Sequence, residues 1–395
     1  MKKIAVISIE NINNIGDNLL GENTEYLINK CCKNAEVEQI NLQPNRKELG
    51  KKYLLNMLVA KILFIISNRI PSCDTKYILK NWAFKIKMRG YFQEILKNTD
   101  KIIYAIGMLK YSTQDQSYTF ELINNIAKQY KIPVMMSAMS IEKYNENDWR
   151  CRQLVRAVNN PIVKCITTRD TENELSILRD KYLHKDTQCI TECVGDPALW
   201  TAEAYNVKSK NCKSDLIGIG LIRLGIYKDY GYGLNEKELF NLYINIIKEL
   251  ELRKKNWVLF CNGMSEDYEV GLNLLEKLKL SQSKLLPRPQ TTKDLINILL
   301  GFKCVMGVRL HSCIASYALG IPIVGLIWDN KLRAFAKKIR CEKYFVEENE
   351  LNAKHLVDML EEVAIEKYNI NIFNKDKIKT LNSLEKFLNL NGKKL

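Results

Sequence analysis

The sequence predicts an α/β protein of two doubly wound, Rossmann-like domains. Three observations carry that prediction. Short apolar runs of strand character alternate with helical patterns along almost the whole chain, as in parallel sheets wrapped by helices. With 395 residues, 46% of them hydrophobic, the chain can bury a large core and divides more readily into two domains than one. A polar stretch without periodicity, Asn206 to Asp215, separates two such alternations.

The opening "MKKIAVISIE" sets basic residues before a short apolar run, with an acid and no small-residue cleavage site. It predicts a first strand over 3–9 rather than a signal peptide. No window reaches about 18 uninterrupted apolar residues, so no membrane-spanning helix is predicted and a cytoplasmic chain is expected. Helix 18–31 follows, and strands 36–41, 101–107, 133–138, 163–168 and 190–194 complete an N-terminal domain over 1–205. The C-terminal domain, 213–345, alternates strand 216–220, helix 236–253, strand 257–261, helices 266–279 and 292–300, strand 303–308, helix 312–319 and strand 322–327. Asn235 before Glu238, Thr291 before Asp294 and Thr171 before Glu174 stand at capping-box spacing. The tail, 346–395, predicts two amphipathic helices.

Within the first domain, residues 46–97 form a basic amphipathic insertion, with twelve Lys or Arg against three acids in a chain of net charge +15. In "KKYLLNMLVAKILFIIS" the apolar residues recur at three- and four-residue spacing, and "YILKNWAFKIKMRGYFQEIL" interleaves lysines and an arginine with aromatics. Two readings stand side by side: an anionic membrane surface as partner, or two core helices with a solvated basic face. Nucleic acid is not expected, because no reading module accompanies the charge. The twelve cysteines are scattered and several lie in apolar strands, as buried reduced thiols do. Neither Cys189 with Cys193 nor Cys31 with Cys32 completes a zinc set, so no metal site is expected.

In doubly wound sheets ligands bind beyond the carboxyl ends of strands, and two such domains face each other across a cleft. "VMGVRLHSCIASYALGIPIV" puts Arg309 and His311 at a strand end. If the strand stays extended through Leu310, both side chains point the same way. An arginine forks onto carboxylate or phosphate, and a histidine moves a proton near neutral pH, although a histidine at a helix start is commonly structural. "ENINNIGDNLL" places Asn13, Asn14 and Gly16 in a turn and Asp17 at a helix start, either as an N-cap or, with Asn14, binding hydroxyls. Arg169 ends one strand, Asp196 the next, and Arg223 follows the first strand of the second domain. Arg169, Arg223 and Arg309 together would make the cleft cationic and favour an anionic substrate.

Taken in order, "NNIGDNLL", "TTRDTENELSIL", "VGDPAL", "IGIGLIR" and "VMGVRLHSCIASYALGIPIVGLIWDNK" resemble the polysaccharide pyruvyl transferase family over residues 14–331. The resemblance implies a fold like that of type B glycosyltransferases and transfer of pyruvate from phosphoenolpyruvate to two hydroxyls of a sugar, as a cyclic ketal. By the same resemblance His311 and Arg309 are catalytic and Arg309, Arg169 and Arg223 bind the donor; Lys331 is expected to join them on the donor, and Asn14, Gly16 and Asp17 are expected to bind the acceptor. Phosphoenolpyruvate is the donor substrate, and no other cofactor is implied. Two positions depart from the family pattern: "YAIGMLKYS" keeps only Gly107 of a glycine-rich turn, and "LFCNGMSED" has Asn262 where a histidine is common. With the basic insertion, the resemblance leads to an expected lipid-linked sugar acceptor at the inner face of the cytoplasmic membrane. Its rivals are a glycosyltransferase using a nucleotide sugar, with Arg309 on a diphosphate, and a non-catalytic scaffold of polysaccharide assembly.

Overall fold

The computed structural model describes residues 2–9, 14–44, 49–71, 73–112, 115–184, 188–207, 214–365, 372 and 374–390. Asn13, Arg46, Lys47, Glu48 and residues 208–213 of the predicted linker lie outside them. The chain divides into two compact units, each a parallel sheet with helices.

The first unit comprises Met1–Glu10, Leu20–Asp196 and Ile378–Leu395. Its elements are β1 (Lys2–Ser8), α1 (Ile15–Cys31), β2 (Ala35–Asn41), α2 (Leu54–Asn68), α3 (Asp74–Leu96), β3 (Lys101–Tyr104), β4 (Met108–Leu109), α4 (Ser117–Gln129), β5 (Val134–Met136), β6 (Ser140–Ile141), α5 (Trp149–Val158), β7 (Val163–Thr168), α6 (Glu172–Ile177) and β8 (Ile190–Cys193). Six strands make a parallel sheet in the order β2-β1-β3-β5-β7-β8, and β4 pairs with β6 apart from it. Ile4 to Ile7 and Ile102 to Tyr104 are fully buried, which is why these strands read as unbroken apolar runs rather than alternating ones. β3 and β5 end two or more residues sooner than predicted, for backbone reasons. Past β3, Gly107 takes a φ of 70°, and past β5, Ala138 takes 51°, left-handed turns that no strand continues through.

The second unit comprises Asn11–Leu19 and Pro197–Lys377. It contains α7 (Glu236–Leu252), α8 (Ser265–Leu278), α9 (Thr292–Leu300), α10 (Leu310–Ala318), α11 (Asn330–Lys338) and α12 (Ala353–Val363) around β9 (Ile217–Gly220), β10 (Trp257–Phe260), β11 (Cys304–Gly307), β12 (Ile323–Leu326) and β13 (Phe345–Val346). The parallel order is β10-β9-β11-β12-β13. Strand order therefore reverses between β9 and β11, whose carboxyl ends form the crevice where such sheets take ligands.

Both capping boxes of the second unit are present, at Asn235 with Glu238 and Thr291 with Asp294. The third expected box is not formed. The Thr171 hydroxyl instead meets that of Thr168 at 2.7 Å and accepts the amide of Ile141 at 2.8 Å, tying β7 to β6. The division also differs from the predicted boundaries: residues 14–19 cluster with the second unit, and the tail forms no segment of its own. The apolar stripe of α12 (Leu356, Val357, Leu360, Val363) lies in the core of the second unit, and α13 (Asn374–Asn389) buries Leu384, Phe387 and Leu388. A short amphipathic helix has no core of its own, so its stripe is covered by the nearest sheet.

Candidate active site

The site is built at the ends of β9, β10 and β11, where short buried strands give way to helix starts. β11 stops at Gly307, and Arg309 is the N-cap of α10, with extended backbone at φ −101°, ψ 129°. His311 is thus the second residue of a helix. The expectation that the strand runs extended through Leu310 does not hold, because the Arg309 carbonyl already accepts the amide of Cys313 at 3.1 Å and closes a helical turn. Arg309 and His311 are therefore set by packing and not by strand alternation.

Arg309 is held by a residue that sequence reasoning passed over. Its Nε and Nη2 donate to the two carboxylate oxygens of Asp267 at 2.9 and 2.7 Å. Asp267 lies in the first turn of α8 and is fully buried. A carboxylate there is tolerated only when paired and hydrogen-bonded, and it also accepts the backbone amide of Arg223 at 2.8 Å. One buried acid thereby fixes both the Arg309 fork and the turn after β9. The Trp328 ring lies 6.0 Å from the Arg309 guanidinium, its indole N–H donating to the Val308 carbonyl at 2.5 Å, and Tyr230 packs edge-on against that ring. The other guanidinium edge of Arg309 has no partner among the described residues.

The Arg223 side chain, one-third exposed, pairs with Asp229 at 2.5 Å. The field of the two arginines reaches their neighbours. Glu266 is held below the usual carboxylate range, first by its backbone amide, then by Ser265, with Arg309 and Arg223 adding to it. Burial pushes the Tyr230 hydroxyl up, and the same two arginines oppose the shift.

His311 packs on the start of α1. A Cβ built on Gly16 would stand 2.5 Å from His311 Nδ1 and 2.8 Å from its Cβ, so only glycine fits beneath the ring. Beside it runs a hydrogen-bonded chain: the Ser312 hydroxyl donates to Asn262 Oδ1 at 2.7 Å, the Asn262 amide reaches Asn14 Oδ1 at 3.5 Å, and the Asn14 amide donates to Asp17 Oδ2 at 2.9 Å. The Asn262 carbonyl also accepts the amide of Ile15, at 3.3 Å. Asn262, noted in the sequence as a departure, is thus buried and joins three elements. Helix α1 begins at Ile15, three residues sooner than predicted, so Gly16 and Asp17 occupy its first turn. Asn14, Gly16 and Asp17, read as acceptor residues, are thereby gathered with Arg309 and His311.

Two other predicted residues sit on other elements. Lys331 is in the first turn of α11, its amide bonded to the Asp329 cap at 3.1 Å. Arg169 belongs to the first unit, where it is 5% exposed. Its Nη1 pairs with Asp196 at 2.7 Å, and its Nη2 donates to the Gly107 carbonyl at 3.4 Å. This guanidinium links the end of β7 to the turn after β3.

Residues 14–330 match the family model described as "Polysaccharide pyruvyl transferase", a span that holds every site residue above except Lys331. No curated protein matches the chain. Among solved structures, the UDP-GlcNAc 2-epimerase of Methanocaldococcus jannaschii aligns over 98% of both chains at 14% identity and a TM-score of 0.57. The α,α-trehalose 6-phosphate synthase of Burkholderia multivorans aligns over 98% of this chain and 95% of that one, at 10% identity and a TM-score of 0.51. At such identities the likeness shows the fold alone, which is that of the type B glycosyltransferases.

Proposed function

Because the chain belongs to the polysaccharide pyruvyl transferase family, we propose that it moves pyruvate from phosphoenolpyruvate onto two hydroxyls of a sugar as a cyclic ketal. The acceptor in this reading is a lipid-linked intermediate of a capsular, exopolysaccharide or other cell-surface glycan, met at the inner face of the cytoplasmic membrane. The observation that carries it is the pairing at the α10 start: an arginine fork braced by a buried carboxylate, two residues before a histidine packed on glycine.

The chemistry needs both. The methylene carbon of phosphoenolpyruvate must gain a proton, which makes the central carbon electrophilic. One sugar hydroxyl adds there and loses its proton. A second hydroxyl then displaces phosphate, its proton leaving with the phosphate, so one ketal and one inorganic phosphate result. His311 is the proton donor in this scheme, and general acid catalysis of this kind contributes roughly 10²–10⁴-fold. Arg309, with one edge on Asp267, offers the other to the donor's carboxylate or phosphate, and Arg223 is the second cation. Lys331 would approach the donor from the α11 start, and Arg169 would act indirectly by holding the Gly107 turn. Asn14 and Asp17 supply acceptors for sugar hydroxyls, with Gly16 keeping them against the histidine.

The test is phosphate release from phosphoenolpyruvate with a panel of free and lipid-linked sugars. His311→Ala is expected to lower turnover by about 10² or more with the fold intact. Near-normal turnover in that variant would remove the histidine from the mechanism. Release of a nucleoside diphosphate from a nucleotide sugar, without use of phosphoenolpyruvate, would replace the reading with a glycosyltransferase.

A further inference from the structure

We propose that the α2–α3 hairpin is a docking surface for an anionic lipid bilayer. Of the sixteen large apolar side chains exposed among the described residues, ten lie on these two helices. Single exposed apolar residues mean little, but ten gathered on two adjoining helices mark an interaction surface. On α2, Leu55, Leu58 and Ile62 are 73%, 58% and 51% exposed and recur at helical spacing, while the helix buries only Ala60 and Ser67. On α3, Ile78, Trp82 and Ile86 stand four residues apart on one exposed face. Further along α3, Met88, Phe92 and Leu96 enter the core of the first unit. The core therefore takes the C-terminal half of α3, leaving the exposed side chains of α2 and Ile78, Trp82 and Ile86 uncovered.

The charge around that face selects the occupant. The acids here are Asp74, paired with Arg152, and Glu94, bonded to Lys52 and the Tyr53 hydroxyl. Lys85 is also taken, by Glu121. Lys61, Lys80, Lys87 and Arg89 have no acidic partner among the described residues. They lie on the same two helices as the exposed apolar residues, as in helices at a headgroup boundary, where lysine stems snorkel and a tryptophan sits at interfacial depth. A second copy of this chain would bring two such basic hairpins together, which like-charge repulsion disfavours. With 15 residues, α2 is about 22 Å long and too short for a bilayer core of about 30 Å, so the hairpin lies flat on the surface.

This deepens the membrane placement of the reading above by naming the surface, and none of its residues belongs to the Arg309–His311 site. Flotation of the full chain with vesicles of phosphatidylcholine and phosphatidylglycerol, mixed in roughly seven-to-three ratio, tests it without donor or acceptor, so failure here and failure of pyruvyl transfer are read separately. Binding is expected to the mixed vesicles and to fall at least about tenfold on pure phosphatidylcholine and in Lys61→Glu/Lys80→Glu/Lys87→Glu/Arg89→Glu. Leu55→Ser/Leu58→Ser/Ile62→Ser should lose binding equally while keeping the circular dichroism of the folded protein. Brominated lipid should quench tryptophan emission in the unaltered protein, and less so in Trp82→Phe. The proposal is overturned by absent binding, by unchanged binding in both variants, or by a dimer in sedimentation that the serine variant abolishes without vesicle binding.

Discussion

At Gly16 one added methyl group decides whether the geometry proposed for catalysis survives, since the atoms it would meet include the Cβ of His311, which has no freedom to swing away. Gly16→Ala is expected to push the ring aside and lower kcat/KM by roughly 10²-fold, as displacements of about 1 Å do, with little change in helix content. Steady-state kinetics beside far-ultraviolet circular dichroism would show the split. Such a glycine is visible in the sequence, because "NNIGDNLL" announces a turn, but what it yields to is not. The same holds for Arg309. Its place beyond a strand is legible, whereas its brace, Asp267, stands 42 residues earlier in "GMSEDYEVG", where a carboxylate in a first helical turn reads as ordinary dipole chemistry.

At the scale of elements, most strands and helices were legible because buried parallel strands and amphipathic helices leave different periods in the chain. Their ends were not, since Gly107, Ala138 and the Arg309 cap are local backbone events. The attachment of α13 depends on one charge. Lys101, on β3 and nearly fully buried, donates to the Phe387 and Leu390 carbonyls at 3.1 and 2.8 Å, capping the helix end. Burial, helped by the charge of Lys2 and opposed by that of Asp100, brings its ammonium down to about 8 from an ordinary 10.5. Between those values the unfolded chain keeps a proton that the folded one has released, so stability rises with pH across that window. Below it both states are protonated and the burial cost stands in full. The stability of the native protein relative to Lys101→Met is therefore expected to grow by up to about 3 kcal/mol as pH rises from about 8 to about 10, in denaturant titrations.

For the whole molecule, each unit has its own apolar core, so unfolding is not expected to be a single two-state event. Phe302, 1% exposed and packed against Phe260 at 5.1 Å, belongs to the second core alone. Phe302→Ala should cost about 3–5 kcal/mol and lower one calorimetric transition while leaving the other in place. The basic insertion shows the limit of sequence at this scale. Its periodicity predicted helices, yet a pattern of apolar stripes does not say whether a neighbour covers each one. α3 answers in both directions, with Met88, Phe92 and Leu96 in the core and Ile78, Trp82 and Ile86 exposed.

The sequence by itself determined the alternation of strands and helices, the family, and the segments that carry polar residues beyond strand ends, because these depend on local periodicity and on motifs read in order. Tertiary structure alone decided that Asp267 braces Arg309, that Asn262 ties Ser312 to Asn14, that Arg169 is sealed against Asp196, and that the 14–17 turn shares its place with His311. Contacts between residues dozens or hundreds of positions apart leave no period in a chain. They arise only when parallel strands bring distant helix starts to one sheet edge, where a buried charge must find its partner or not be tolerated.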